Sequence, residues 1–311
     1  MTSREVLPPN APRDVWLAAR RNGIGGSDVS AILGMSRWSS ARSVWLEKLG
    51  APEQPASWPM IRGNHLEPAL RDWYTAETGV PVVQVGLQQH VDEPWMQYSP
   101  DGFIGQFGLF EGKTTSFFMR DEWDEEQVAD HAELQVQWGL LVTGRLWADV
   151  VVAISDDDPV IRRVYPDKGL QSSIREACQQ FWNVNVAGRV EPPVTWVDAD
   201  AIKKKYPTVE KTVHVGDSDL DEATKTYQHA AQVVKDYTQI KDTAATVIRN
   251  AMKTADHLVI NGETAATWKQ QSARVVDMEA LAADVDIEQY RKDRTSRVLR
   301  IPKARKEFKE N

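Results

Sequence analysis

One segment, residues 146–154, constrains the fold of this chain more than any other, because it is almost continuously apolar. A strand that is buried on both faces carries such a run, whereas a strand with one face in water alternates apolar and polar residues. Helical spacing over residues 130–143 comes directly before it, and β-forming residues occupy positions 108–114. A strand, a helix and a buried strand in this order predict an α/β fold.

The rest of the first two hundred residues supplies more helices and short strands. The glycine-rich turn Gly23-Ile-Gly-Gly-Ser27 ends in a good helix N-cap residue, and Gly34 stops the helix that follows. Further helices are predicted over residues 16–20, 41–49, 65–78 and 170–186, and extended segments over residues 81–87, 96–99 and 108–114. Together these segments predict a mixed central sheet flanked by helices.

Tryptophan and charge divide the chain near residue 200. Eleven of the twelve tryptophans precede that position, and residues 1–200 contain 17 Lys and Arg against 28 Asp and Glu. We therefore predict a main domain over residues 1–200 and an accessory region over residues 201–311.

The accessory region has its own helix and sheet signals. Apolar residues at alternating spacings of three and four predict a long amphipathic helix of about 50 Å, namely Leu220, Ala223, Tyr227, Ala230, Val234 and Tyr237. Asn261-Gly262 predicts a tight hairpin between two short strands, and residues 297–301 are expected to add a third strand. Nine basic residues between Arg291 and Lys309, including Arg294, Lys303, Arg305 and Lys306, form either a DNA grip or a solvated tail.

Composition excludes several classes of protein. No apolar run approaches the roughly 20 residues of a membrane span, and the single cysteine, Cys178, excludes a disulfide framework and a cysteine-ligated metal centre. A reducing cytoplasm is the expected location, with no role at a membrane. The formal net charge is −8, so a nucleic-acid partner requires basic groups that are gathered locally.

Asp101, Glu111 and Lys113 form the strongest chemical pattern. Side chains alternate along a strand, so Glu111 and Lys113 share one face, and a hairpin between them and Pro100-Asp101 would bring Asp101 alongside. Two carboxylates and an ammonium on one sheet face are costly as packing but suit a Mg²⁺ site with a water-positioning lysine. Glu307-Phe-Lys309 has the same Glu-x-Lys spacing in the basic tail, so this tripeptide alone is weak evidence for a metal site.

Two further polar residues belong to this constellation. Glu67 is predicted near the start of a helix, where a carboxylate is also favourable simply with the helix dipole. Gln135 is an uncharged polar residue among apolar neighbours on the predicted helix over residues 130–143. It either faces a site or lies at the surface.

In this order, the motifs around Glu67, Pro100-Asp101-Gly102, Glu111-x-Lys113 and Gln135 resemble the PD-(D/E)xK nuclease fold. More narrowly, the chain resembles the YqaJ-type viral recombinase family, which includes phage lambda exonuclease. The segment from Arg20 to Gly34 is similar to the opening motif of that family. Gly112 departs from the family pattern, which often has a larger apolar residue there, but glycine still supplies the backbone carbonyl.

The resemblance implies a role for each matching residue. Asp101, Glu111 and the Gly112 carbonyl would bind Mg²⁺, with Mn²⁺ as an alternative, Glu67 would complete the acidic site, and Lys113 would orient or deprotonate the attacking water. A pocket for a 5′-phosphate would comprise Arg20, Ser27, Ser99 and Gln135. Independently, the turn before a helix offers N–H groups and arginine can bind phosphate with two hydrogen bonds. Without the other motifs, an ordinary turn and N-cap is the preferred interpretation of Gly25, Gly26 and Ser27.

The resemblance to this family implies a Mg²⁺-dependent 5′ to 3′ double-strand DNA exonuclease of phage or prophage origin. Such an enzyme releases 5′-mononucleotides and leaves 3′ overhangs, which are used for homologous recombination by single-strand annealing. The resemblance also implies a homotrimeric ring, an annealing protein as partner and the cytoplasm of a bacterial host. The sequence leaves two alternatives to this function open. One is a restriction-like or nicking endonuclease of the same fold, and the other is a non-catalytic DNA-binding assembly subunit.

Overall fold

The computed structural model describes residues 2–52, 55–123, 127–210, 212–293 and 297–302. The chain divides into two compact units, Met1–Ile202 and Lys203–Asn311. The helices of the first unit are α1 (Arg13–Arg20), α2 (Gly26–Ile32), α3 (Ala41–Lys48), α4 (Trp58–Thr78), α5 (Asp130–Thr143) and α6 (Lys168–Gln180), and α7 (Ala199–Lys205) includes the division between the units. The strands of the first unit are β1 (Ser3–Leu7), β2 (Val82–Val83), β3 (Leu87–His90), β4 (Gln97–Tyr98), β5 (Gly102–Ile104), β6 (Gly108–Thr115), β7 (Trp147–Ile154) and β8 (Val160–Val164).

A five-stranded mixed sheet with the order β2-β5-β6-β7-β8 forms the centre of the first unit. Only β6 and β7 pair in parallel within it, and the chain between them contains α5. The apolar segment predicted as a buried strand is β7, in which Val150, Val151 and Val152 are fully buried. The predicted α/β fold with a mixed sheet is therefore confirmed.

Each face of this sheet packs against a different core, as the alternation of side chains requires. Leu109 of β6 and Val150 of β7 join the larger cluster, which includes Trp138 of α5. Phe110 and Val151, one residue further along each strand, pack instead with Leu70 and Tyr74 of α4. The odd-numbered side chains of β6 thus face α5, and this face carries Glu111 and Lys113.

Several elements differ from the sequence-based expectations. Strands β1 and β8 were not predicted, and β1 joins β3 and β4 in a separate three-stranded sheet. Helix α4 begins at Trp58, not at residue 65, so Glu67 lies near the middle of a 21-residue helix. The explanation of Glu67 by the helix dipole is therefore wrong, because that effect fades within the first turn.

The second unit contains α8 (Ser218–Met252), β9 (His257–Ile260), β10 (Glu263–Thr267) and α9 (Met278–Asp284). The 35 residues of α8 confirm the predicted long helix. Asn261 and Gly262 have φ of 53° and 88°, the positive values that a tight two-residue hairpin requires, and β9 pairs with β10 as predicted.

The expected third strand over residues 297–301 is wrong, because this segment is irregular and β9 and β10 form a two-stranded sheet. Part of the basic segment, with Arg294, Lys303, Arg305, Lys306 and Lys309, lies outside the described residues. Within the described ranges, no helix combines the length and the apolar character needed to cross a membrane.

Helix α5 approaches β4 so closely that glycine is required at their contact. A Cβ atom at Gly139 would lie 2.5 Å from the ring of Tyr98, which is fully buried. Gly63 on α4 has more room, since its Cβ would meet its nearest neighbour, the Thr114 hydroxyl, at 3.7 Å. These two helical glycines therefore differ in packing, although each of them has a lower helix propensity than alanine.

We predict that Gly139→Ala lowers the free energy of unfolding by about 1–3 kcal/mol, because the added methyl group overpacks the contact with Tyr98. Gly63→Ala should instead raise it by up to about 1 kcal/mol, through helix propensity alone. Urea unfolding of both variants measures the difference. A Gly139→Ala protein as stable as Gly63→Ala would contradict the close packing of α5 on β4.

A buried cluster of charges ties α1, α2 and α3 together. Asp28 of α2 accepts hydrogen bonds from Arg20 of α1 at 2.6 Å and from the Gly25 N–H at 2.9 Å, and it pairs with Lys48 of α3 at 2.7 Å. Burial alone would raise the pKa of Asp28, but Arg20 and Lys48 outweigh it and hold the pKa at about 2. The ionised carboxylate therefore stabilises the folded state at neutral pH.

We predict that Asp28→Asn lowers the free energy of unfolding at pH 7 by about 3–5 kcal/mol, because two buried cations lose their shared anion. The usual pKa of 3.8 exceeds the folded value of about 2, so this advantage is present above pH 4 and is lost as the pH falls toward 2. About 1 kcal/mol of the difference between wild type and variant should disappear between pH 5 and pH 3. Urea unfolding across this range tests both statements, with the exposed Asp14→Asn as control. A difference that does not change with pH would contradict the ionised pair.

Candidate active site

The hairpin of β5 and β6 places Asp101 beside Gly112, as the spacing of the motif predicts. Gly102 pairs with Phe110 across the hairpin, so Asp101, directly before β5, lies next to the middle of β6. The Asp101 carboxylate accepts a hydrogen bond from the Gly112 N–H at 2.8 Å through Oδ2. Its orientation is thus set by the backbone of the strand that carries Glu111 and Lys113.

Glu111, Lys113 and Gln135 form one hydrogen-bonded group. Lys113 Nζ donates to Glu111 Oε1 at 2.7 Å and to Gln135 Oε1 at 2.9 Å. The amide nitrogen of Gln135 donates to Glu111 Oε1 at 2.5 Å. The expectation that Glu111 and Lys113 share a face is confirmed, and Gln135 of α5 points toward them instead of toward solvent.

Tyr98, which sequence reasoning missed, completes the contacts of Glu111. Its hydroxyl donates to Glu111 Oε2 at 2.5 Å, and the side chains of both residues are almost fully buried. Burial, and next the charge of Glu111, raises the pKa of Tyr98 well above its usual value, so this hydroxyl remains a donor. Its place at the end of a strand directly before Ser99-Pro100-Asp101 was the only available signal.

Arg71 connects Glu67 with the Asp101 turn. It forms an ion pair with Glu67 one helical turn earlier on α4, and its Nη1 also donates to the Asp101 carbonyl at 3.1 Å. Glu67 keeps 31% of its side chain exposed, whereas Glu111 is buried. The structure thus brings Glu67 near Asp101, but with Arg71 as its direct partner.

The charges at this site are crowded. Burial, followed by the nearby charges of Glu111 and Glu67, raises the pKa of Asp101 well above its usual value. Burial would lower the pKa of Lys113, but Glu111 and Asp101 outweigh this and raise it. Three carboxylates lie near two cations, Lys113 and Arg71, and the remaining excess of negative charge suits a further cation.

This set of donors fits a hard divalent cation that keeps several waters. Within the described residues, no group of three or more His, Cys, Asp or Glu side chains is arranged to hold a metal. Mg²⁺ is commonly bound by only one or two carboxylates plus water and substrate phosphate. Asp101, Glu111 and the Gly112 carbonyl could therefore hold such an ion together with a substrate.

The residues predicted to bind a 5′-phosphate also lie together. Arg20 donates to the Ser27 hydroxyl at 3.0 Å, and the Trp16 indole donates to the Ser99 hydroxyl at 3.2 Å. The guanidinium of Arg20 lies 5.3 Å from the centroid of the Trp16 ring. Trp16 was not singled out from the sequence, yet it joins the two halves of this pocket.

The start of α2 adjoins the acidic site. A Cβ atom at Gly26 would lie 2.6 Å from the Tyr98 ring and 3.0 Å from Gln135 Cγ. This glycine lets the Ser27 backbone pass directly beside the side chains that contact Glu111. The helix itself has seven residues, and Asp28 already places a carboxylate in its first turn, so Arg20 is the main source of positive charge here.

Comparison with known proteins identifies similar chains. The model of the YqaJ-like viral recombinase domain matches residues 15–146. A curated relative, the uncharacterized protein YqaJ of Bacillus subtilis (strain 168), is 29% identical over 297 residues, which covers 90% of this chain and 92% of the relative.

Solved structures of similar chains include an alkaline exonuclease from Laribacter hongkongensis, LHK-Exo, which is 22% identical and aligns over 63% of this chain and 100% of its own, with a TM-score of 0.48. The structure of LHK-Exo in complex with dAMP is 24% identical and aligns over 61% of this chain and 99% of its own, with a TM-score of 0.49. A phage related exonuclease from Haemophilus somnus 129PT is 12% identical and aligns over 54% of this chain and 96% of its own, with a TM-score of 0.44.

The match of the domain model confirms the resemblance that the motifs indicate. It covers Arg20 and Ser27, the Pro100-Asp101 turn, the Glu111-x-Lys113 strand and Gln135. Residues 15–146 are therefore similar to the YqaJ-like viral recombinase domain.

Proposed function

We propose that this protein is a Mg²⁺-dependent deoxyribonuclease that degrades double-stranded DNA from its 5′ ends and leaves 3′ overhangs. The observation that carries the proposal is the hydrogen-bonded group of Glu111, Lys113 and Gln135 beside Asp101 on one hairpin. A buried carboxylate with an adjacent ammonium and an excess of acidic charge is costly for a scaffold but suits phosphodiester hydrolysis.

The reaction is attack of water on the phosphorus atom, which breaks the bond to the 3′ oxygen and releases a 5′-mononucleotide. When bound, a divalent cation supplies Lewis-acid stabilisation of the charge that develops on the phosphoryl oxygens. Asp101 and Glu111 are the acidic ligands, Gly112 contributes its carbonyl, and Glu67 adds negative charge nearby. Lys113, oriented by Glu111 and Gln135, positions the attacking water.

Arg20, Ser27 and Ser99 are proposed to hold the terminal 5′-phosphate, with Gln135 between this pocket and the acidic site. Arginine binds phosphate with short, charge-assisted hydrogen bonds. Each cycle leaves a new 5′-phosphate on the shortened strand, so the same pocket serves the next cycle. This pocket favours an exonuclease over a restriction-like or nicking endonuclease, which needs no end.

The other parts of the proposal follow from the family. The protein would work on phage or prophage DNA in the bacterial cytoplasm, as a homotrimeric ring with a single-strand annealing protein as partner. Residues 1–200 would carry the chemistry and residues 201–311 would serve grip and assembly. A non-catalytic assembly subunit is less favoured, because it has no use for the crowded carboxylates around Lys113.

We expect hydrolysis to require an end. Linear duplex with 5′-phosphates should be converted to mononucleotides and 3′-overhanging products in Mg²⁺, whereas covalently closed circular duplex of the same sequence should remain intact. Products resolved by length, with EDTA as a metal-free control, measure both reactions. Linearisation or nicking of the circle at a comparable rate would identify an endonuclease.

We expect Asp101→Asn to reduce hydrolysis by at least about 1000-fold, since it removes a ligand whose ion contributes several kcal/mol. Its stability should hold or rise, because the asparagine oxygen can still accept from Gly112 and one charge leaves a crowded set. Initial rates and urea unfolding measure the two effects, with the exposed Asp72→Asn as control. A folded Asp101→Asn protein with near wild-type rate would exclude this acidic site.

A further inference from the structure

Arg20, the main cation of the proposed phosphate pocket, is held by two different acids. Its Nη2 donates to Asp28 Oδ1 at 2.6 Å, and its Nε donates to Glu47 Oε1 at 2.9 Å. Lys48 Nζ lies 2.7 Å from Asp28 Oδ2 and also donates to the Arg20 carbonyl at 3.2 Å. Two cations and two carboxylates thus form one cluster.

The two acids differ in their access to water. The side chains of Asp28 and Lys48 are 3% and 0% exposed, whereas that of Glu47 is 39% exposed. Asp28 supplies one negative charge to two cations, so the buried part of the cluster keeps one positive charge in excess. Glu47 balances this excess from the solvent side.

Glu47 therefore occupies an anion position between the two cations. Its Oε1 atom is 2.9 Å from Arg20 Nε and 3.9 Å from Lys48 Nζ. The Arg20–Glu47 pair is partly exposed, so it is worth on the order of 1 kcal/mol and its partner can be exchanged at low cost. A terminal phosphate carries up to two negative charges and more acceptor oxygens than a carboxylate, so it competes well for the same donors.

We propose that Glu47 competes with the 5′-phosphate for Arg20, and that its displacement by the terminal phosphate sets how strongly the protein prefers phosphorylated ends. This inference rests on the proposed 5′-end function. Asp28 keeps the guanidinium in place during the exchange, because its contact is on the buried side, and Lys48 in turn holds Asp28 and the Arg20 carbonyl. Arg20 thus needs no rearrangement when Glu47 leaves.

Glu47→Gln tests the exchange, since it removes the competing charge but keeps the size of the side chain. Equilibrium binding in Ca²⁺ and initial rates in Mg²⁺ are measured on the same duplex with 5′-phosphate or 5′-hydroxyl ends. Affinity for phosphorylated ends should rise roughly 3- to 10-fold, from the loss of a competing charge-assisted contact. Affinity for hydroxyl ends should change much less.

Glu191→Gln is the matched control. Glu191 pairs with Arg42 of α3 at 2.6 Å and is half exposed, so this variant removes the same charge from a similar pair that also involves α3. It should leave the ratio between phosphate and hydroxyl ends unchanged. A general gain in DNA affinity would appear in both variants and on both ends.

Each outcome separates the inference from the function on which it rests. Wild-type protein that does not hydrolyse duplex would overturn the proposed function, and equal wild-type binding of both ends would overturn the phosphate pocket. If wild type prefers phosphorylated ends but Glu47→Gln leaves the ratio unchanged, the competition is wrong. A lower ratio in Glu47→Gln would also overturn it, because Glu47 would then orient Arg20 for phosphate.

Discussion

The buried carboxylate of Glu111 is the interaction on which the rest of this domain depends. A carboxylate that is removed from water must be matched by donors, because an unpaired buried charge is among the largest penalties in a fold. Here the donors come from three elements: Tyr98 on β4, Lys113 on β6 and Gln135 on α5. Strand pairing, helix packing and the position of the acidic site are therefore coupled through one side chain.

That coupling explains why small residues occur where they do. Gly26 and Gly139 both face the Tyr98 ring, so α2 and α5 can approach the tyrosine that holds Glu111. Larger residues would separate these helices from β4 and lengthen the contacts to the carboxylate. The packing of apolar surface and the geometry of the polar group are thus two aspects of the same constraint.

Sequence patterns predicted the elements whose signals are local. Strand β7 and helix α5 have clear periodicity, and Asn261-Gly262 specifies its hairpin through backbone conformation alone. The start of α4 was missed because Pro59 and Gly63 suggest breaks, although proline is tolerated in a first turn. Residues 297–301 carry β-forming side chains, yet strand formation requires a partner that no local pattern reveals.

The residues of the candidate active site were also predictable from the sequence only where their signal is local. Glu111 and Lys113 follow from strand alternation, but Tyr98, Arg71 and Asp28 act through contacts that only the folded chain brings together. These contacts also leave negative charge in excess around Asp101, and around Arg20 they leave one positive charge that Glu47 balances from the solvent side. The acidic side, around Asp101, favours a cation, and the side of Arg20, whose exposed counterion is Glu47, favours an anion. In the proposed function, a DNA end with its metal would supply both charges at once, with the metal beside Asp101 and the terminal phosphate in the place of Glu47.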